Sequence, residues 1–106
     1  MANQWGISRE VEELVISRDD SCIYCGSSFS IEHKSRKTIP TWEHIINDLE
    51  LISSDNIAYC CMSCNSSKGA KNVEFWFEGK YCKSKGINKD TVAEVVKNVI
   101  LKSHLK

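Results

Sequence analysis

Two Cys-x-x-Cys pairs, Cys22/Cys25 and Cys61/Cys64, supply four thiolates at the spacing with which a tight knuckle turn aims two sulfurs at one ion. Two such knuckles complete a tetrahedral sulfur shell, and zinc is the ion expected in it. Between the pairs runs Trp42-Glu43-His44-Ile45, and Asn65 directly follows the last cysteine. A carboxylate, an imidazole and an amide are thus left over, and they suffice to build a second, catalytic metal site beside the structural one. Cys60 abuts Cys61, but only Cys61 keeps the two-residue spacing to Cys64. Cys60 and Cys82 read as small apolar fillers of the core.

Disulfides are the rival use of these cysteines. No charged and apolar leader opens the sequence, so a cytoplasmic, reducing setting is expected, where paired Cys-x-x-Cys motifs bind metals. Metal ligation also answers an energetic need. A chain of 106 residues that is 42% hydrophobic buries a modest core, and a bound ion adds folding free energy directly.

The elements that must position these groups follow from local pattern. The length suits one domain, residues 1–106, and the expected class is α+β. Ser8 is the expected N-cap of a helix over about 8–17, with Glu10, Glu12 and Glu13 near its positive end and Val11, Leu14 and Val15 as its apolar stripe. Residues 27–38 read as a polar, basic loop or hairpin. Thr41 to Ile46 and Asn56 to Tyr59 read as strands. A helix is expected to begin near Asn65, which suits its N-cap. The region from about 72 to 105 reads as helical, with aromatic packing from Phe75, Trp76 and Phe77. Thr91 and Glu94 are expected to form the capping box of a last helix whose stripe is Val92, Val95, Val96, Val99 and Ile100. No apolar run is long enough for a membrane span.

In order along the chain stand Cys22-x-x-Cys25, Glu43-His44-Ile45, Asn56, and Cys61-x-x-Cys64-Asn65-x-x-Lys68. This succession resembles the HNH endonucleases, whose pattern has Asp or Glu before the first His, an Asn on the second strand, and His or Asn at the head of the helix. The resemblance covers about residues 18–70, half of the chain. It implies a zinc-stapled ββα-metal core flanked here by N- and C-terminal helices. It also implies cleavage that leaves 5′-phosphate and 3′-hydroxyl ends. One departure is visible: many members have Pro shortly after the isoleucine that follows His, where this chain has Asn47-Asp48.

The residues suit that chemistry. Phosphodiester hydrolysis needs an activated water, relief of charge on phosphorus, and help for the leaving oxygen. His44 can take a proton near neutral pH and is the expected general base. Glu43 and Asn65 offer two oxygens to a divalent ion, a donor set that suits Mg²⁺ or Mn²⁺ better than zinc. Asn56 is expected to fix His44, through its ring or the nearby backbone. Lys68, one turn beyond Asn65, is expected on a phosphate oxygen. His33 and His104 read as surface residues, and Trp42 as packing against the core.

Charge describes the partner less sharply. Fourteen basic and fourteen acidic residues cancel, but residues 1–20 carry two arginines against five acids, while residues 60–106 carry nine lysines against four acids. The partner expected is DNA, with phosphates met by Lys34, Arg36 and Lys37 before the first strand and by Lys68 and Lys71 on the helix. Cutting both strands would take a homodimer or two sequential nicks, and sequence selectivity would come from loops or an accessory partner. The alternative reading is a non-catalytic zinc module that binds nucleic acid or protein and keeps Glu43, His44 and Asn65 for structure. A transcription-type zinc ribbon fits poorly, because the insert between the knuckles is long.

Overall fold

A computed structural model describes residues 6–29, 39–48 and 50–104. Among them the elements run α1 (Arg9–Arg18), β1 (Pro40–His44), β2 (Ile57–Cys61), α2 (Met62–Lys68), α3 (Val73–Phe77), α4 (Lys80–Lys85) and α5 (Glu94–Ser103). The class is small α+β. No helix is long and apolar enough to cross a membrane.

The sheet has two strands. β1 and β2 pair antiparallel with Trp42 opposite Tyr59, Glu43 opposite Ala58 and His44 opposite Ile57. Because side chains alternate along a strand, Trp42 and His44 share one face and Thr41 and Glu43 the other. The first face carries a small core in which Ile7, Val15 and Ile57 are fully buried beside Trp42 and Tyr59. The opposite face joins the larger core, built from the first knuckle, Ala58, Cys60 and the apolar residues of α3 to α5.

Ser8 caps α1 as expected, its hydroxyl accepting from the Val11 amide at 3.3 Å. The apolar stripe differs: Val15 is buried, but Leu14 is 45% exposed and Ile7, ahead of the cap, takes the inner place. A latch then ties α1 to β2. The Asp19 carboxylate accepts from Arg18 at 2.7 and 2.8 Å and from the Tyr59 amide at 3.0 Å, while Arg18 donates to the Ile57 carbonyl at 3.0 Å. The Tyr59 carbonyl accepts from the Ile23 amide at 3.3 Å, so the outer side of β2 is satisfied by α1's end and the first knuckle.

Three local expectations are corrected. The helix after β2 starts at Met62, not near Asn65, and its N-cap is Cys61, whose sulfur accepts from the Cys64 amide at 3.4 Å. The cap is set by the knuckle itself, and Asn65 falls inside the helix. Thr91 and Glu94 do not form a capping box: the Thr91 hydroxyl closes the preceding turn, accepting from the Asn88 amide at 2.9 Å, and α5 starts at Glu94 behind Ala93. The strands are also displaced from their expected ends, β1 stopping at His44 and β2 running on to Cys61. The short helix α4, ended by Gly86 in the left-handed conformation (φ 71°), falls inside the region of about 72–105 that reads as helical.

Candidate metal centre and the polar cluster beside it

The two knuckles meet. The Sγ atoms of Cys22, Cys25, Cys61 and Cys64 all lie within 4.8 Å of one another, and Cys25 and Cys61 are 3.8 Å apart. A tetrahedral ion with metal–sulfur bonds of about 2.3 Å puts its sulfurs about 3.8 Å apart. The six described cysteines are all free thiols, so no disulfide competes for them. Backbone amides already face the sulfurs: Cys22 Sγ accepts from Tyr24 and Cys25 at 3.4 and 3.5 Å. Crowding redistributes the protons. Hydrogen bonding from Cys22, then from Cys61 and Cys64, holds the Cys25 thiol far below its ordinary range, and Cys22 lowers Cys61 to about 7. Hydrogen bonding from Cys25 shifts Cys22, and from Cys22 shifts Cys64, the other way, and a cation in the cluster would displace the protons these two keep. These four side chains can hold a structural metal such as zinc. Cys60 and Cys82 are fully buried outside the cluster, and burial pushes both thiols up, as expected of core fillers.

Beside the cluster, α2 lies across β1. Its residues Asn65 and Lys68, three apart and so on one face, meet the strand at successive points. Asn65 Nδ2 donates to Thr41 Oγ1 at 2.9 Å and to the Trp42 carbonyl at 3.1 Å. Lys68 Nζ lies 3.0 Å from Glu43 Oε2 and 3.4 Å from the His44 carbonyl. The Tyr24 hydroxyl, from inside the first knuckle, donates to the same Glu43 oxygen at 2.5 Å. Lys68 is fully buried, and Tyr24, Glu43 and His44 are nearly so. Burial raises the Glu43 carboxyl above its ordinary range, against the opposing pull of Lys68 and Tyr24. Burial, with the Lys68 charge second, lowers His44 below 6.5 and leaves a neutral imidazole near neutral pH.

Asn56 stands just before β2 and clamps the chain beyond His44. Its Oδ1 accepts from the Ile46 amide at 2.7 Å, and its Nδ2 donates to the carbonyls of Ile46 and Leu51 at 3.1 and 3.0 Å. These bonds fall on backbone two and more residues beyond His44 and none of them on its ring.

Lys68, expected on a phosphate oxygen, is instead fully buried against Glu43, because a buried carboxylate needs a counter-charge. Lys71 is exposed and donates to the Ser67 carbonyl at 2.9 Å. Lys34, Arg36, Lys37 and His33 lie outside the described residues. His104 is exposed, 2.9 Å from Glu74. Tyr24 escaped sequence reading, since nothing but its place inside the knuckle marks it. A catalytic divalent ion fits less well than the structural one. With Lys68 and Tyr24 both on Glu43 Oε2, and Glu43 only 4% exposed, Glu43 and Asn65 do not make an open oxygen site in this arrangement.

Compared with models of protein families, with curated proteins and with solved structures, the chain gives no match in any of the three.

Proposed function

We propose that the chain is a zinc-stapled DNA endonuclease of the HNH type, with His44 as its general base. One observation carries the reading: α2 is laid on β1 so that Asn65 and Lys68 reach the strand segment holding Glu43 and His44, next to four convergent thiols. The motif residues that resemble the family in order along the chain are thus also neighbours in space. His44, kept neutral by burial, takes a proton from the water that attacks phosphorus. The bond from phosphorus to the 3′ oxygen breaks, and that oxygen takes its proton from solvent water. Asn56 holds the backbone beyond His44 in place. Lys68 holds Glu43. A divalent ion on Glu43 and Asn65, as the resemblance implies, requires that ion pair to open, so dependence on added Mg²⁺ or Mn²⁺ is part of what an assay must read.

The test is nicking of supercoiled plasmid by zinc-loaded protein, with and without Mg²⁺ or Mn²⁺, against His44→Ala. Divalent-dependent nicking that disappears in a folded, zinc-bound variant supports the reading. Nicking that survives in His44→Ala removes the base assignment.

A second reading draws on a specific observation. Glu43 is consumed by a buried ion pair and His44 is only 7% exposed, which is how polar residues look when their task is structural. A non-catalytic zinc module that binds nucleic acid or protein would show this cluster and no nicking with any metal.

A further inference from the structure

A groove of about 340 Å³ opens between α2, α3 and α4, on Ser67, Lys71, Phe75, Trp76, Lys80 and Tyr81, with Gly79 and Glu78 at its edge. That volume lies at the lower end of small-ligand clefts, roughly 300–1,000 Å³. Trp76 and Tyr81 stack behind it, centroids 5.9 Å apart at 24°, and the Trp76 indole donates to Ser67 Oγ at 2.9 Å. Lys85 covers the Tyr81 ring at 5.2 Å. The ring left to solvent is Phe75, 70% exposed, the most exposed of the large hydrophobic residues described. Phe75 thus offers an apolar surface at the groove that a ligand can cover.

Charge indicates what does. Residues 71–85 carry Lys71, Lys80, Lys83 and Lys85 against Glu74 and Glu78 in a chain of zero net charge. Both acids are engaged, Glu78 with Lys83 at 3.3 Å and Glu74 with His104 at 2.9 Å. Lys71 and Lys80 are exposed on the groove itself. An aromatic side chain that shares a groove with two ammonium groups matches a flat π-surface joined to phosphates, the combination by which single strands are held.

We propose that this groove binds an unpaired nucleobase, stacked on Phe75, with flanking phosphates on Lys71 and Lys80. The inference rests on the nucleic-acid-binding part of the reading above and is independent of catalysis. A site of this kind directs the chain toward single-stranded or locally opened nucleic acid, since a paired base offers its face only to its neighbours in the stack.

The test is fluorescence anisotropy with labelled oligothymidylate and with a duplex of equal length, using zinc-loaded full chain without Mg²⁺. Phe75→Ala is expected to weaken single-strand binding roughly tenfold, leave duplex binding unchanged, and be rescued by Phe75→Tyr. Lys80→Ala is expected to flatten the salt dependence by about 0.7 in the log–log slope, one phosphate contact. Unchanged thymidylate affinity in Phe75→Ala overturns the proposal, as does an equal loss on duplex. Self-association in sedimentation that Phe75→Ala abolishes also overturns it, and assigns the shelf to a second copy of the chain. The two readings separate cleanly. Protein that binds thymidylate through Phe75 but nicks no plasmid keeps this site and loses the endonuclease. Protein that nicks through His44 while Phe75→Ala binds normally loses this site alone.

Discussion

Lys68 and Glu43 form an ion pair at 3.0 Å in which the two side chains are 0% and 5% exposed. Their elements, α2 and β1, are joined by little else that is polar: the Asn65 amide lies one turn earlier on the helix and the Lys68 contact to the His44 carbonyl beside it. Two buried charges that satisfy each other impose one register of helix on strand, since any other leaves a charge unpaired in an apolar medium.

The first prediction concerns that pair. Lys68→Met strands a buried carboxylate and is expected to cost about 3–5 kcal/mol. In a domain of this size the loss is a fall of roughly 10 °C or more in melting temperature. Adding Glu43→Gln should recover most of it. Thermal melts of the zinc-loaded single and double variants measure the coupling, and additive losses would mean that the two residues act separately.

Metal removal is the second. With four thiols at ligand spacing and a modest core, the chain should bind one zinc and lose its cooperative unfolding transition when a strong chelator takes the ion. Cys61→Ala should abolish tight binding. Cys60→Ala should leave it intact, because Cys60 is buried on the far side of the strand from Cys61. Zinc stoichiometry of the two purified variants decides which cysteine is the ligand.

His44 gives a pH dependence. Its folded pKa lies below 6.5, so the unfolded chain takes up the proton first as pH falls. Stability from this group is therefore intact above about pH 6.5 and is lost as pH falls below it toward the folded value. Urea titrations across that window should show a slope that His44→Gln flattens. Should the endonuclease reading hold, the acid limb of the nicking profile must fall below 6.5 as well. A limb centred above 6.5 would point to another group.

How much of this the sequence carried can be judged residue by residue. The sulfur cluster was legible because a two-residue spacing is a local property that survives any fold. Ser8 was legible for the same reason. Asn65 was misplaced as a cap because Cys61 served as cap and knuckle at once, and no propensity scale expects a cysteine there. Thr91 and Glu94 had the capping-box spacing, but the Thr91 hydroxyl found the nearer Asn88 amide. Lys68 was expected on a phosphate oxygen, and its burial on Glu43 was not legible because that partner lies 25 positions earlier, a separation at which pattern is silent. Asn56 was expected on the second strand and lies just before it, and its partners on Ile46 and Leu51 depend on how the β1–β2 connection turns.

Asn56 supports a fourth prediction. One side chain satisfies three backbone groups of that connection, and it is only 5% exposed. Asn56→Ala removes three part-buried hydrogen bonds from that connection, each worth about 0.5–1.5 kcal/mol. Asn56→Asp can still accept from Ile46 but cannot donate to the carbonyls, so it should recover only part of the loss. Hydrogen exchange at Ile46, which should quicken selectively in both variants, checks the local origin.

Tyr24 ties the metal centre to the polar cluster. Its hydroxyl reaches Glu43 at 2.5 Å from a position between Cys22 and Cys25, so the fold of the knuckle determines where that phenol lies. Tyr24→Phe keeps the ring against Trp76, whose centroid is 4.9 Å away, and removes only the hydrogen bond. The expected cost is about 1.5–3 kcal/mol, the range for a bond to a charged acceptor, with zinc stoichiometry unchanged. In a Glu43→Gln background the same substitution should cost less, since the acceptor is then neutral. Denaturant unfolding of the four proteins in this cycle gives the coupling energy directly. A coupling near zero would mean that the phenol packs without holding the carboxylate, and that the two sites are neighbours rather than partners.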